Sequence, residues 1–211
     1  MARQFNTSAF PAALGAIVLA ACTAGSAEDG MPEAEDASAA QTAEATATQE
    51  PSCFLQGATV ADAEGRPSPL RQVRFEYGDG GEGLLCHGAP SARGRDIMGG
   101  LVPYGELWRA GANESTALHL SAPASIGGVA VEAGSYSIYT IPGESSWQVF
   151  VNSNFQRWGI PISDAVRATE IGSFTVTPET TATPVETLTY RFEGGAVVME
   201  WANTRLRIPI G

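Results

Sequence analysis

The chain has 211 residues, a formal charge of -11, and twelve basic residues that are all Arg. Seven acids and no base fall in residues 23–52, so residues 53–211 stand at -5, from sixteen acids and eleven Arg. Phosphate binding needs a basic face, so this balance argues against nucleic acid as a partner and against electrostatic adsorption to anionic lipid.

Residues 1–21 read as a lipoprotein signal peptide. Arg3 gives a weakly positive start, and Ala12 to Ala21 is apolar but shorter than the roughly 20 residues that span a bilayer. The run closes on Leu19-Ala20-Ala21-Cys22, which is similar to a lipobox, so Cys22 is the predicted lipidated residue. The competing reading is ordinary secretion with cleavage after Ala21 or Ala27. Thr23, not Asp, follows Cys22, which in a Gram-negative cell points to the outer membrane. The expected location is therefore the cell envelope, with the membrane as a partner through the lipid. Residues 22–52 are rich in Ala, Thr and Glu and hold no aromatic residue. Such a segment buries too little apolar surface to offset its ordering entropy, and it reads as a disordered acidic linker.

From Cys53 the texture changes to short alternating runs broken by Gly and Pro. Predicted strands lie at 73–77, 84–87, 116–121, 129–132, 136–141, 147–152, 174–177, 187–192, 197–201 and 205–208. Gly78 to Gly81 and Pro142-Gly143 are turns, and Asn203-Thr204 reads as a hairpin turn between the last two runs. No window has the period of an amphipathic helix, although Ser163 could cap a turn or two through Thr169. About nine short strands in residues 53–211 predict an all-β domain, a single antiparallel β-sandwich of jelly-roll type. With Cys22 lipidated, Cys53 and Cys86 remain as an even pair in an oxidising compartment, which predicts a disulfide.

One stretch, Gly99 to Thr116, mixes aromatics, charges and turn residues more densely than any other. This stretch, together with Pro90 to Arg95, Ala133 to Tyr136, Ile141-Pro142-Gly143, Trp147, Pro184-Val185-Glu186 and Trp201 to Arg205, resembles a bacterial family of secreted proteins and lipoproteins, the domain of unknown function DUF2911. The likeness runs from about Val73 to Ile210. It implies a β-rich extracytoplasmic domain and brings no activity, cofactor or catalytic residue. The chain departs from the family at His87 and Ala89, where a tyrosine and a basic residue are usual.

The candidate ligand-binding residues are Tyr104, Trp108, Arg109, Asn113, Glu114, Asn203 and Arg205. Arg109 offers a rigid donor fork for a carboxylate or phosphate, and Tyr104 and Trp108 offer a stacking wall. The competing role is structural: Trp108 fills core, and Arg109 pairs with Glu106 or Glu114 to hold a long loop. The expectation is a polar cluster centred on Arg109, with Glu114 or Asn113 inside it and Asn203 or Arg205 near it. No metal site is predicted, because the two His stand alone and Cys86 and His87 point to opposite faces of a strand. No nucleophile elbow is present, and no spacing pairs carboxylates among Glu106, Glu114 and Glu200. No cofactor is implied. These features favour a non-catalytic module that binds a small polar ligand, a glycan or an envelope protein. The alternatives are an envelope hydrolase using carboxylates or His119, and a purely structural lipoprotein.

Overall fold

The computed structural model describes residues 51–211. Cys22 and the predicted linker up to residue 50 lie outside the described residues.

Ten strands carry the fold. They are β1 (Leu70–Tyr77), β2 (Gly81–Gly88), β3 (Ala112–Leu120), β4 (Ala124–Ile126), β5 (Val129–Val131), β6 (Gly134–Ile141), β7 (Trp147–Asn152), β8 (Glu170–Val176), β9 (Glu179–Glu193) and β10 (Ala196–Pro209). One antiparallel sheet runs β1-β2-β3-β6-β7-β8. A long β9-β10 ribbon and the short β4-β5 hairpin make the other pairings, so the domain is the expected all-β sandwich.

Strand alternation decides what each face of the large sheet meets. Leu85, Leu118 and Tyr136 lie abreast in register, as do Ile138 and Val151, and this face packs on Leu188, Met199, Trp201, Leu206 and Ile208 of the ribbon. The opposite face carries Leu84, Cys86 and Ala117. It is covered by the segment before β1, whose buried Ala63 belongs to the short helix α1 (Val60–Glu64). Both sides of the central strands are therefore apolar, so β2 and β3 read as nearly continuous buried runs. At the hairpin, Gly83 and Gly81 sit opposite Phe75 and Tyr77, whose rings lie where a Cβ would be. A side chain at either glycine would displace its ring.

Two local expectations change and one holds. α1 is a helix where none was predicted; it is five residues long, too short for periodicity to show, and rests on a Thr59–Asp62 capping box. Ser163 does cap a short helix, α2 (Asp164–Arg167). The expected hairpin at Asn203-Thr204 does not form, because residues 197–208 belong to one strand, β10. Its register against β9 shifts on either side of Ala202, where Ala202 pairs with Val185 and Thr204 pairs with Thr180. The extra β9 residues bulge outward around Pro184, which donates no ladder hydrogen bond, and Ala202 takes φ 50. A bulge uses the same polar and small residues as a turn, which is why the two look alike in sequence.

Cys53 and Cys86 form the predicted disulfide, with Cα atoms 5.7 Å apart.

Candidate functional site

The residues of Gly99 to Thr116 do not converge on Arg109. Trp108 is tied by its backbone to Thr140, with N–H···O distances of 2.7 and 2.8 Å in the two directions. Its indole stacks on Trp201 at 6.1 Å and meets Trp147 edge-on at 6.0 Å. It is a wall of the core. Arg109 donates from Nε to the Gly111 carbonyl at 3.1 Å, and its chain lies against Gly159. Among the described residues it makes no ion pair, and burial pushes its pKa below the ordinary arginine value. Asn113 takes φ 64 and donates from Nδ2 to the Ser68 carbonyl at 2.8 Å. Glu114 is 8% exposed and is met by Arg66, whose Nη1 reaches both carboxylate oxygens at 3.0 and 2.8 Å. Arg205 pairs instead with Glu200, Nε to Oε1 at 2.5 Å. The expected Arg109-centred cluster is thus replaced by three separate arrangements. Its charges are distributed by which strand face each residue occupies, and sequence proximity does not predict that.

Tyr104 and Asn203 do share a site. They line a cleft of about 910 Å³ at one end of the sandwich. The loop 92–100 forms one wall, Gly143 and Glu144 of the β6–β7 turn another, and the bulged parts of β9 and β10 a third. The loop is stiffened by tight backbone hydrogen bonds, Val102 N to Ile97 O at 2.8 Å and Leu101 N to Asp96 O at 2.9 Å. Gly105 N donates to Pro142 O at 2.8 Å and ties the loop to the end of β6. Tyr104 is 40% exposed and its ring rests on Gly99.

The cleft is acidic. Asp96, Glu144, Glu179 and Glu186 line it against the single base Arg95, so four minus one leaves it at -3. Arg95 is turned back on its own loop, Nε to the Ala92 carbonyl at 2.9 Å and Nη2 to the Ser91 carbonyl at 2.8 Å. Glu186 accepts from the Arg93 N–H at 2.8 Å, and Glu179 lies 3.6 Å from Arg205. Asp96 and Glu144 form no ion pair among the described residues. Among the described residues, the four non-glycine residues with positive φ, Arg93, Ala110, Asn113 and Ala202, fall at the cleft or in Gly99 to Thr116. Backbone held in that region costs of order 1–3 kcal/mol per residue and concentrates where geometry matters.

Neither histidine lines the cleft. His119 sits on the sheet face opposite the ribbon, with Nδ1 2.7 Å from Ser135 Oγ, its ring edge on Phe155 and its Nε2 without a partner among the described residues. His87, with Ala89, Arg71 and Tyr190, lines a separate pocket of about 170 Å³. Its ring meets Tyr190 edge-on at 4.7 Å, and burial pushes its pKa down to about 4. Among the described residues no group of three or more His, Cys, Asp or Glu is placed to hold a metal ion.

Several of the segments carrying the likeness seen in the sequence meet at this cleft, namely Gly94-Arg95, Gly99-Gly100, Tyr104, Gly143, Trp147, Pro184-Val185-Glu186 and Ala202-Asn203-Thr204, whereas Trp108 to Glu114 and Ala133 to Tyr136 do not line it. A family model described as Protein of unknown function (DUF2911) matches residues 68–210. The chain belongs to the DUF2911 family. No curated protein and no solved structure matches it. Within this DUF2911 domain, Tyr104 and Asn203 of the expected binding residues line the cleft, and Asp96, Glu144, Glu179 and Glu186 line it without having been among them. Glu186 belongs to Pro184-Val185-Glu186 and Glu144 follows Ile141-Pro142-Gly143, so these strings were the available signal in the sequence.

Proposed function

We propose that this DUF2911 protein is a lipid-anchored protein of the cell envelope whose sandwich domain binds a neutral or cationic polar ligand, a glycan in the first instance. The observation that carries the binding reading is the meeting of several of the resemblance-bearing segments at one acidic cleft with an exposed tyrosine. Carboxylates and the Asn203 amide suit sugar hydroxyls, and an aromatic ring suits a sugar's apolar face. A net charge of -3, from the four acids and one Arg, disfavours an anionic ligand. Export is supported by the Cys53–Cys86 disulfide, since such bonds persist in oxidising compartments. The anchor itself rests on the lipobox-like Leu19 to Cys22.

Two measurements test the proposal. Saturation-transfer NMR against neutral, cationic and anionic oligosaccharides is expected to show transfer from the first two classes only. Tyr104→Ala together with Asn203→Ala should abolish it, and a cleft silent to every class would refute the ligand reading. Fatty-acid labelling in cells is expected for the wild type and lost in Cys22→Ala; equal labelling of both removes the anchor.

A further inference from the structure

The pocket beside His87 lies in a seam of the sandwich. β1 is an edge strand of the large sheet and β9 pairs with β10, so among the described residues these two strands face each other without a ladder. The seam is shut on both sides of the pocket. On one side Phe75 of β1 stacks on Phe192 of β9 at 4.4 Å. On the other, Leu188 N donates to the Pro90 carbonyl at 2.9 Å, and Ala92 N donates to the Glu186 carbonyl at 2.7 Å. Between these closures an opening of about 170 Å³ remains, and its walls are held from both sides.

Two side chains give the opening its chemistry. His87 lines it and is 3% exposed. Its Nδ1 lies 3.3 Å from the Gly88 carbonyl. A carbonyl only accepts, so Nδ1 carries the ring proton and Nε2 is left as a bare acceptor. That Nε2 has no hydrogen-bond partner among the described residues and is not enclosed, whereas Nε2 of His119 is enclosed without one. Burial keeps the His87 ring neutral at pH 7, with its pKa pushed down to about 4, and the Arg71 charge acts in the same direction. Arg71 stands opposite His87 in the β1–β2 register, so the two side chains share a face. Arg71 is the one charged residue lining the pocket, and it forms no ion pair among the described residues. Its Nη1 donates to the Leu70 carbonyl at 3.1 Å, which leaves Nε and Nη2, the edge of the fork suited to a carboxylate, without a partner among the described residues. The backbone adds a donor. Leu188 directs its N–H away from β10, so Tyr190, two residues on, directs its own the same way, into the seam.

We propose that this pocket binds a small hydroxy carboxylate, with the carboxylate on the edge of the Arg71 guanidinium and the hydroxyl donating to Nε2 of His87. The two groups fix the class between them. A cation takes the carboxylate, and a buried neutral acceptor takes a neutral donor. A plain carboxylate leaves Nε2 unpaired, and an amino acid sets a second cation beside Arg71. The volume of about 170 Å³ equals that of about six waters at roughly 30 Å³ each, which suits a short-chain acid and excludes an oligosaccharide. The pocket shares no lining residue with the acidic cleft, so this site stands apart from the ligand reading of that cleft.

The experiment uses the full-length chain with Cys22→Ser, isotope-labelled for NMR and titrated in turn with lactate, propionate and lactamide. Propionate lacks the hydroxyl and lactamide lacks the charge. Lactate is expected to shift the amides of Gln72, His87 and Tyr190 saturably at millimolar concentration, the range open to a ligand of about six heavy atoms. Propionate and lactamide should each bind several-fold more weakly. Arg71→Gln, at an exposed position, should erase the preference for lactate over lactamide. His87→Phe should erase the preference for lactate over propionate. Equal affinities for the three compounds, preferences that survive these variants, or an absence of shifts at the three amides overturn the proposal. So do shifts that map to Asp96 and Glu144 of the acidic cleft instead. Long-range proton–nitrogen correlations on the unsubstituted pocket give a reading that depends on neither variant: Nδ1 of His87 should be protonated and Nε2 bare, and the opposite tautomer overturns the assignment.

Discussion

Glu114 shows how one residue's neighbours decide its role. In the chain it stands five residues from Arg109, and in the fold its charge is balanced by Arg66, 48 residues away. Their side chains are only 11% and 22% exposed, so removing one leaves the other poorly solvated. Arg66→Ala is expected to lower stability by about 2–3 kcal/mol, less than for a fully buried pair. A urea titration checks this as a fall in midpoint at constant slope. Arg66→Lys should recover only part, since lysine keeps the charge without the planar guanidinium that lies over Trp158. An unchanged midpoint in Arg66→Ala would mean that water replaces the guanidinium at no cost.

At the scale of elements, the segment 53–69 ahead of β1, a strap over one face of the large sheet, and the ribbon on the other solve the same problem. The six-stranded sheet is apolar on both sides at β2 and β3, so each side needs a cover. The ribbon covers one with two long strands and large side chains, among them Trp201, Met199 and Leu206. The strap covers the other with little apolar surface of its own, chiefly Ala63, Leu55 and Cys53. It is held by the disulfide and by polar contacts to Asn113 and Glu114. Closing a loop across 33 positions should contribute about 3–4 kcal/mol by the chain-entropy estimate. The double variant Cys53→Ser, Cys86→Ser is expected to show that loss in urea while keeping its sheet spectrum. A loss below about 1 kcal/mol would mean that the strap stays docked with equal order in both states.

For the whole molecule, acid is the condition that the buried histidines make costly. His87 is held down to about 4 by desolvation, against 6.5 in the unfolded chain. Below pH 6.5 the unfolded chain takes up a proton that the native state refuses, so stability falls as pH drops. The loss is complete near pH 4, and a shift of about 2.5 units amounts to roughly 3 kcal/mol. His119 is shifted down by burial too and acts in the same direction. Glu200, lowered by Arg191 and Arg205 against the opposing effect of burial, adds its loss only at lower pH. Denaturant midpoints between pH 7.5 and pH 4.5 should therefore fall, and His87→Phe, which keeps a ring against Tyr190, should flatten that slope. Equal slopes in the two proteins would place the acid sensitivity elsewhere.

The sequence by itself determined the all-β class, most strand positions, the Cys53–Cys86 bond and the family, because these follow from local alternation, cysteine count and motif strings. It also indicated Ser163 as a helix cap, which depends on a few neighbouring residues, but left Trp108 between a stacking wall for a ligand and a core side chain. The tertiary structure alone decided which charges meet. Arg109 and Glu114 are close in sequence but take different partners, Gly111 and Arg66, because the turn through Ala110 and Asn113 has positive φ and redirects each side chain. Asp96, Glu144, Glu179 and Glu186 come from four separate segments and become one cleft only when the sandwich closes and the bulges of β9 and β10 turn outward. Alternation is a local rule and can be read along a chain. The meeting of distant carboxylates depends on strand order and register, which are set by burial of the whole core.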